Sequence, residues 1–467
     1  MNEDRKKRKP NTERRFYEKK GLLDRIKQAS EEQLQTALFA GLAFFVLAFS
    51  LANCIWRYHV RANQVQAGFL LGLCVFSIFL LGLMYQKKKI PIGNIPALAL
   101  IGMSVFGLIS SLWTGDLTNS LYGDEFQGVG LITMVTYYAL FFAGAHMKRT
   151  AYRRWLVYFM YLVLGFICLY GIMQSFHIPF MVHNVIEAAI LPTRNQNYYA
   201  AFPVLFLGLV FGKLFYDEKD TDSVKGRLLW HGLACMGFAA GVASFSSLFY
   251  MGIIMQILLL LFLEFFRKKK KFMTLLLLLV EFAVVFILMD RAFDGRVSAE
   301  FFTLSNQIAE EGSLLGDSIG SGRMAIWKET LRQIAEKPLF GCGIETFIVD
   351  TGVEGSPFLY CDAHNEYLQI WAEQGTFVVV SYLIFLFALF IPGLLQFIKK
   401  DSYESDFTSR AAMFAFFGYI AQAFANIRVI QVAPYFWLCC GLLYVRKRRT
   451  DNALKNTDKS AESRTET

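Results

Sequence analysis

Apolar runs of near-constant length recur along this chain and restrict its fold more than any other feature. They lie at 34–56, 65–85, 95–113, 127–145, 155–175, 198–216, 228–246, 247–266, 272–290, 374–397, 409–427 and 430–445. A helix rises about 1.5 Å per residue, so each run is about long enough to cross a hydrocarbon core roughly 30 Å thick. Within that core no water reaches the backbone, and a crossing segment must close its hydrogen bonds internally, as a helix does. The expected fold is therefore all-α, a polytopic transmembrane bundle of about twelve spans. With 55% hydrophobic residues and 46 Phe, the chain is too apolar for an ordinary soluble domain.

Charge sets the expected topology. The formal net charge of +9 comes mostly from basic clusters beside the apolar runs: QKKK at 86–89, KRTAYRR at 148–154, RKKKK at 267–271, and KK at 399–400. Counted from an inside N-terminus, these clusters fall on alternate connections, which the positive-inside rule assigns to the cytosol. The opposite connections are poor in Lys and Arg, and GDLTNSLYGDEFQ is acidic. This basicity suits topology and headgroup attraction, and no nucleic-acid-reading motif accompanies it. Residues 1–33 read as a basic cytosolic tail without a cleavable signal, 34–290 as the first nine spans, and 291–373 as one large external loop. Residues 374–446 then read as the last three spans and 447–467 as a cytosolic polar tail.

The loop carries most of the polar chemistry. The spacing of Ile326, Trp327, Thr330, Leu331 and Ile334 predicts an amphipathic helix over 323–336, able to lie on a membrane or pack under a lid, and ended by Lys337-Pro338. A second helix is expected from Asp362, as its N-cap, to Gly375. It would set His364 in a first turn, where the helix dipole disfavours the imidazolium and leaves a neutral ring able to accept a proton. Of the 8 Cys, Cys342 and Cys361 alone fall in this polar interval, where they either pair or stay free thiols.

Other polar groups have plainer readings. His59, His146, His177, His183 and His231 sit near span ends, where an interfacial role is expected. No HExxH or Cys-x-x-Cys spacing points to a metal. Asp220-Thr221-Asp222 has the look of a metal-holding carboxylate pair but belongs to a cytosolic loop. Glu281 stands in the middle of LLLLLVEFAVV and requires a partner, for which an interhelical hydrogen bond is the first expectation and a proton path the second.

HNEYLQIWAEQG, GSGRMAIWKETLRQIAEKPLFGCGIETF and PTRNQNYYAAF together resemble the O-antigen ligase and O-antigen polymerase superfamily of bacterial membrane proteins. The resemblance is specific mainly at 191–203 and 320–377 and implies a GT-C-like membrane body in the plasma membrane. It also implies an integral membrane glycosyltransferase, free of metal and cofactor. Such an enzyme moves glycan from a polyprenyl (undecaprenyl) diphosphate carrier to a hydroxyl of an acceptor glycan or lipid at the external face. His364 is then the candidate general base, because a sugar hydroxyl is a weak nucleophile. Arg194, Arg323 and Arg428 are candidates for binding the donor diphosphate, whose charge guanidinium groups neutralise bidentately. Arg291 and Arg296 are secondary candidates or interfacial anchors. Asn195, Asn197, Tyr198 and Asn365 are possible substrate contacts, although capping of the sixth span also accounts for those near 195–198. Two alternatives are a transporter or flippase of lipid-linked saccharides, which matched halves with broken spans would favour, and a sensor whose loop binds a partner.

Overall fold

The computed structural model describes residues 28–55, 62–86, 94–114, 117–123, 128–178, 188–190, 192–193, 195–217, 223–266, 271–313, 315–350, 362–398 and 407–444. Arg194, Cys361, His59, His183 and Asp220-Thr221-Asp222 lie outside the described residues, as do most of the N-terminal tail and the whole of 447–467. Every apolar run holds a helix: α1 Glu31–Ile55, α2 Ala62–Gln86, α3 Ile95–Thr114, α5 Leu131–Ala145, α6 Thr150–Ser175, α8 Ala201–Tyr216, α9 Val224–Val242, α10 Ser247–Phe266, α11 Phe272–Ala292, α15 Thr376–Ile398, α16 Phe407–Gln422 and α17 Ala433–Leu443. Two short helices, α4 Leu117–Tyr122 and α7 Gln196–Tyr199, stand in connections, and the polar interval folds into α12 Arg296–Glu311, α13 Arg323–Glu336 and α14 Glu366–Gln374. No strand occurs among the described residues.

The chain is a polytopic helical membrane protein, with 8 helices among the described residues long and apolar enough to cross a bilayer. Of the other four apolar runs, α5 is a helix of 15 residues, and the remaining three fall short for physical reasons. In α9 the first turns carry Lys225, Arg227 and His231. The runs at 409–427 and 430–445 shrink to the 16 residues of α16 and the 11 residues of α17, because the chain between them holds Asn426 and Arg428 and restarts at Pro434. At about 1.5 Å per residue α17 is only about 16 Å long. All of its side chains are buried in protein, so its ends escape the penalty that lipid imposes on open backbone.

The centre of the bundle is the crossing of α8 and α16. Gly208 and Gly212 let the two backbones meet, and a Cβ on Gly208 would stand 2.3 Å from the Ala415 backbone nitrogen. Gln256 of α10 locks the pair by donating from Nε2 to the carbonyls of Val204 (2.8 Å) and Phe414 (3.0 Å). Gly208→Ala is expected to force this crossing apart at a cost of about 1–3 kcal/mol. Thermal unfolding of the protein in nanodiscs checks this, with Gly232→Ala, where a Cβ meets nothing within 4 Å, as the unaffected control.

Buried charges in the spans are paired. Lys213 lies 2.7 Å from Asp217, donates to the Tyr158 hydroxyl at 2.9 Å and sits 4.3 Å above the Phe407 ring. Glu281 has the interhelical partner its position demands, the Nδ1 of His231 at 2.7 Å. His231 therefore bridges α9 and α11 rather than acting at an interface.

In the polar interval, α13 has the bounds expected from its spacing. Its Ile326 and Ile334 are buried with Phe347, Val349, Ala363 and Ala372, so these two apolar side chains pack inward, while Leu331 of the same expected face is exposed. α12 was not expected. α14 passes into α15 at Gly375, whose φ of 82° and approach to the Leu339 carbonyl, 2.0 Å from a would-be Cβ, leave room for glycine alone.

Candidate active site

The turn before α13 builds the first half of the site. Gly320, Ser321 and Gly322 have φ of 65°, 59° and 83°, and this left-handed run brings the Gly320 carbonyl back over Arg323. Arg323 Nη1 donates to that carbonyl at 2.8 Å. The side chain is only 9% exposed, and its Nε has no partner. Burial lowers the guanidinium pKa, while Glu300 of α12 and Tyr198 of α7 work against that shift. Glu300, itself pushed up by burial, accepts from the Ser247 backbone N–H at 3.3 Å.

The second half is the segment 362–365. Trp327, one helical turn beyond Arg323, donates from Nε1 to the Ala363 carbonyl at 3.0 Å. The Ala363 N–H in turn donates to Gln369 Oε1 at 2.6 Å. These two bonds hold His364 in a left-handed conformation, φ 46°, with a buried, unpartnered Nδ1. The helix begins later than expected. Its N-cap is Asn365, not Asp362, and Asn365 Oδ1 accepts from the N–H groups of Tyr367 (3.0 Å) and Leu368 (3.1 Å). His364 thus precedes the helix instead of occupying its first turn. Its neutrality has another origin, since burial and then the Arg323 charge lower its pKa to about 4.

α7 and the turn between α9 and α10 complete the wall. Tyr198 donates to Asp362 Oδ2 at 3.1 Å, Ser246 Oγ donates to Asn197 Oδ1 at 2.8 Å, and Asn426 Nδ2 donates to the Asn197 carbonyl at 2.9 Å. The expected substrate contacts Asn195 and Asn365 serve as caps: Asn195 Oδ1 accepts from the Asn197 N–H at 2.8 Å. Cys342 carries a free thiol, raised to about 11 chiefly by burial. Arg296 lies 4.9 Å above the Phe245 ring and Arg291 is exposed. Among the described residues, no cluster of His, Cys, Asp and Glu is placed to hold a metal ion.

Arg428 belongs to a second, buried constellation. It is 7% exposed with Nε and Nη1 unpartnered, and it faces a cavity lined also by Val129, Glu345, Glu366, Gln369, Ile370, Glu373 and Ile427. The cavity measures about 20 Å³, on a scale where one water needs about 10–15 Å³. Glu366 accepts from the Tyr382 (2.8 Å) and Tyr419 (3.2 Å) hydroxyls, and Glu373 Oε1 accepts from Gln369 Nε2 (2.8 Å) and the Glu345 N–H (3.0 Å). Burial pushes both carboxyls up, Glu373 to about 7, against the opposing pull of Arg428. Reading the sequence for external cations missed these carboxylates. Their signal was the polar stripe Glu366, Gln369, Glu373, at helical spacing, leading into an apolar span.

Chemically, the first constellation offers an anion a buried guanidinium with an open donor, and offers an acidic proton a neutral imidazole close enough to feel that guanidinium. No curated protein matches the chain at a significant level. Residues 231–383, a stretch from α9 into α15 that holds Arg323 and His364, match the family model described as O-Antigen ligase, so this segment of the chain is similar to that family.

Proposed function

We propose that this protein transfers or polymerises glycan from a polyprenyl (undecaprenyl) diphosphate carrier onto an acceptor hydroxyl, without a metal, at the external face of the plasma membrane. In this reading α5, α9, α16 and α17 complete a GT-C-like body of about twelve crossings, both termini are cytosolic, and α12–α14 face outward. His364 takes the proton of the acceptor hydroxyl as its oxygen bonds the anomeric carbon of the donor sugar and the bond from that carbon to the carrier diphosphate breaks. Arg323, together with Arg194, binds the diphosphate that leaves. Tyr198 and Asn197 contact the donor. Arg428 neutralises Glu366 and Glu373 under the helix that follows His364.

The observation that carries this reading is the pair of orphaned atoms. Arg323 Nε and His364 Nδ1 are both buried and both lack a hydrogen-bond partner. Buried polar atoms are nearly always paired, so two on opposing segments of one site fit a ligand with an anionic end and a hydroxyl. The purified protein, supplied with a polyprenyl-diphosphate-linked glycan and an acceptor, is expected to release free polyprenyl diphosphate in step with glycan extension or attachment. Flipping of the lipid without release would instead mark a transporter.

The charge environment adds a pH prediction. A base must be unprotonated, so kcat/KM falls as pH drops through its pKa in the free enzyme. With that value at about 4, kcat/KM is expected to hold well below the roughly 6.5 of an ordinary His. Arg323→Gln removes the smaller of the two causes and moves the acid limb upward by part of that interval. Bound diphosphate screens the same guanidinium, so the acid limb of kcat should lie above that of kcat/KM in the unmodified enzyme. The paired pH profiles check both statements.

A further inference from the structure

α12 has two unlike faces, and only one of them is accounted for by the site. It follows α11 after a sharp turn, with φ of 52° at Asp294 and 81° at Gly295. Val297, Phe301, Leu304 and Ile308 recur at spacings that line one side of a helix, with Phe302 flanking them. The opposite side is tied to the turn that carries Arg323. Glu300 accepts from the Ser247 N–H (3.3 Å), Gln307 Oε1 from the Gly320 N–H (2.9 Å) and Glu311 Oε1 from the Ser318 N–H (3.3 Å).

On the apolar side, Val297 is buried, and the Phe301 ring meets Tyr250 of α10 edge-on at 4.9 Å and Phe286 of α11 at 5.8 Å. Beyond those contacts the face is bare: Phe301, Phe302 and Leu304 are 42%, 52% and 48% exposed. The patch adjoins α11, a candidate membrane span, at Phe286, and elsewhere on that helix Val284, Ile287 and Leu288 are exposed. Phe286 stands six residues before the end of α11, about 9 Å down its axis. The ring of Phe301 therefore sits level with residues that a bilayer must cover. Arg291, exposed in the last turn of α11, can reach headgroups from there, as long cations at span ends do.

We propose that α12 is an interfacial helix whose Phe301, Phe302 and Leu304 lie among the acyl chains of the leaflet on the α12–α14 side, and whose polar face holds the Arg323 turn at the membrane surface. The occupant is bilayer lipid, because the bare face begins at a ring packed between Tyr250 and Phe286 of two candidate membrane spans, below the end of α11. A strongly amphipathic helix with aromatic residues on the apolar side has the character of one lying in an interface. The helix tethers the Arg323 turn to the bilayer whatever reaction occurs beside it, so the proposal stands apart from the catalytic reading.

The test uses the full chain in vesicles of phosphatidylethanolamine and phosphatidylglycerol, with no glycan present. Phe302→p-benzoyl-phenylalanine and Leu304→p-benzoyl-phenylalanine are irradiated and their adducts identified by mass spectrometry, beside Glu310→p-benzoyl-phenylalanine on the exposed polar side. Lipid adducts at 302 and 304 are expected at about tenfold the yield at 310, as immersion of one helix face requires. Both replaced side chains are about half exposed, so the fold is retained. Equal lipid labelling at 304 and 310, or crosslinks from 304 to a second copy of the chain in place of lipid, would overturn the proposal.

Discussion

His364→Ala is expected to lower kcat for glycan transfer by about 10²–10⁴-fold, the usual contribution of a positioned general base, while the protein folds and binds donor as before. Three features lead to this. The imidazole is held neutral by burial and by Arg323, so it is ready to accept a proton. Its orientation is imposed by a left-handed backbone whose preceding residue is held from both sides, by Trp327 and by Gln369. And Nδ1 makes no structural hydrogen bond, so truncation removes no internal partner and costs little stability. Arg323→Ala should differ, raising KM for the donor as well as lowering kcat, because the proposed diphosphate contact is one made in the ground state and strengthened as the leaving group gains charge. Steady-state kinetics with varied donor separate the two patterns. Undiminished turnover by the His364 variant would remove the proposed mechanism.

The largest effect on stability is expected from Arg428→Ala. Glu366 and Glu373 are 2% and 3% exposed, and Arg428 is the cation that acts on both. Removing one partner from a buried charge cluster costs about 3–5 kcal/mol, because the remaining charge has neither water nor a counter-ion. The Tyr382 and Tyr419 hydroxyls still serve Glu366 and will soften the loss without replacing the charge. Combining Arg428→Met with Glu366→Gln should restore part of it, since an apolar residue beside a neutral amide leaves less to solvate. The melting temperature in nanodiscs reports this ordering, and added salt should change it little because the cluster is buried. A variant with unchanged melting temperature but weakened donor binding would return Arg428 to the diphosphate.

The contrast between these two residues shows where the sequence was legible. His364 and Arg323 stood out because imidazole and guanidinium groups in a polar interval between long apolar runs have few structural uses. The bounds of α13 were readable for a local reason: regular apolar spacing and a following Lys-Pro act within a few residues. α12 escaped notice although Val297, Phe301, Leu304 and Ile308 follow the same spacing, because acidic and polar residues interrupt them and no cap marks the start. The cap of α14 lies three residues later than the expected Asp362, since Asp362 and Asn365 have equal capping chemistry and Asp362 instead accepts from Tyr198.

What the sequence alone determined is the solvent and the helices that lie in the apolar runs. Runs of bilayer length leave a helix as the one way to close every backbone hydrogen bond in hydrocarbon, and that constraint operates within each segment. What only the tertiary structure decided is which charges meet. Arg323 meets Glu300 of α12 and His364 of the turn before α14, whereas Arg428, equally cationic in the sequence, turns inward to carboxylates more than 50 residues away. Electrostatic pairing acts through space, and its strength depends on burial that no stretch of chain produces by itself.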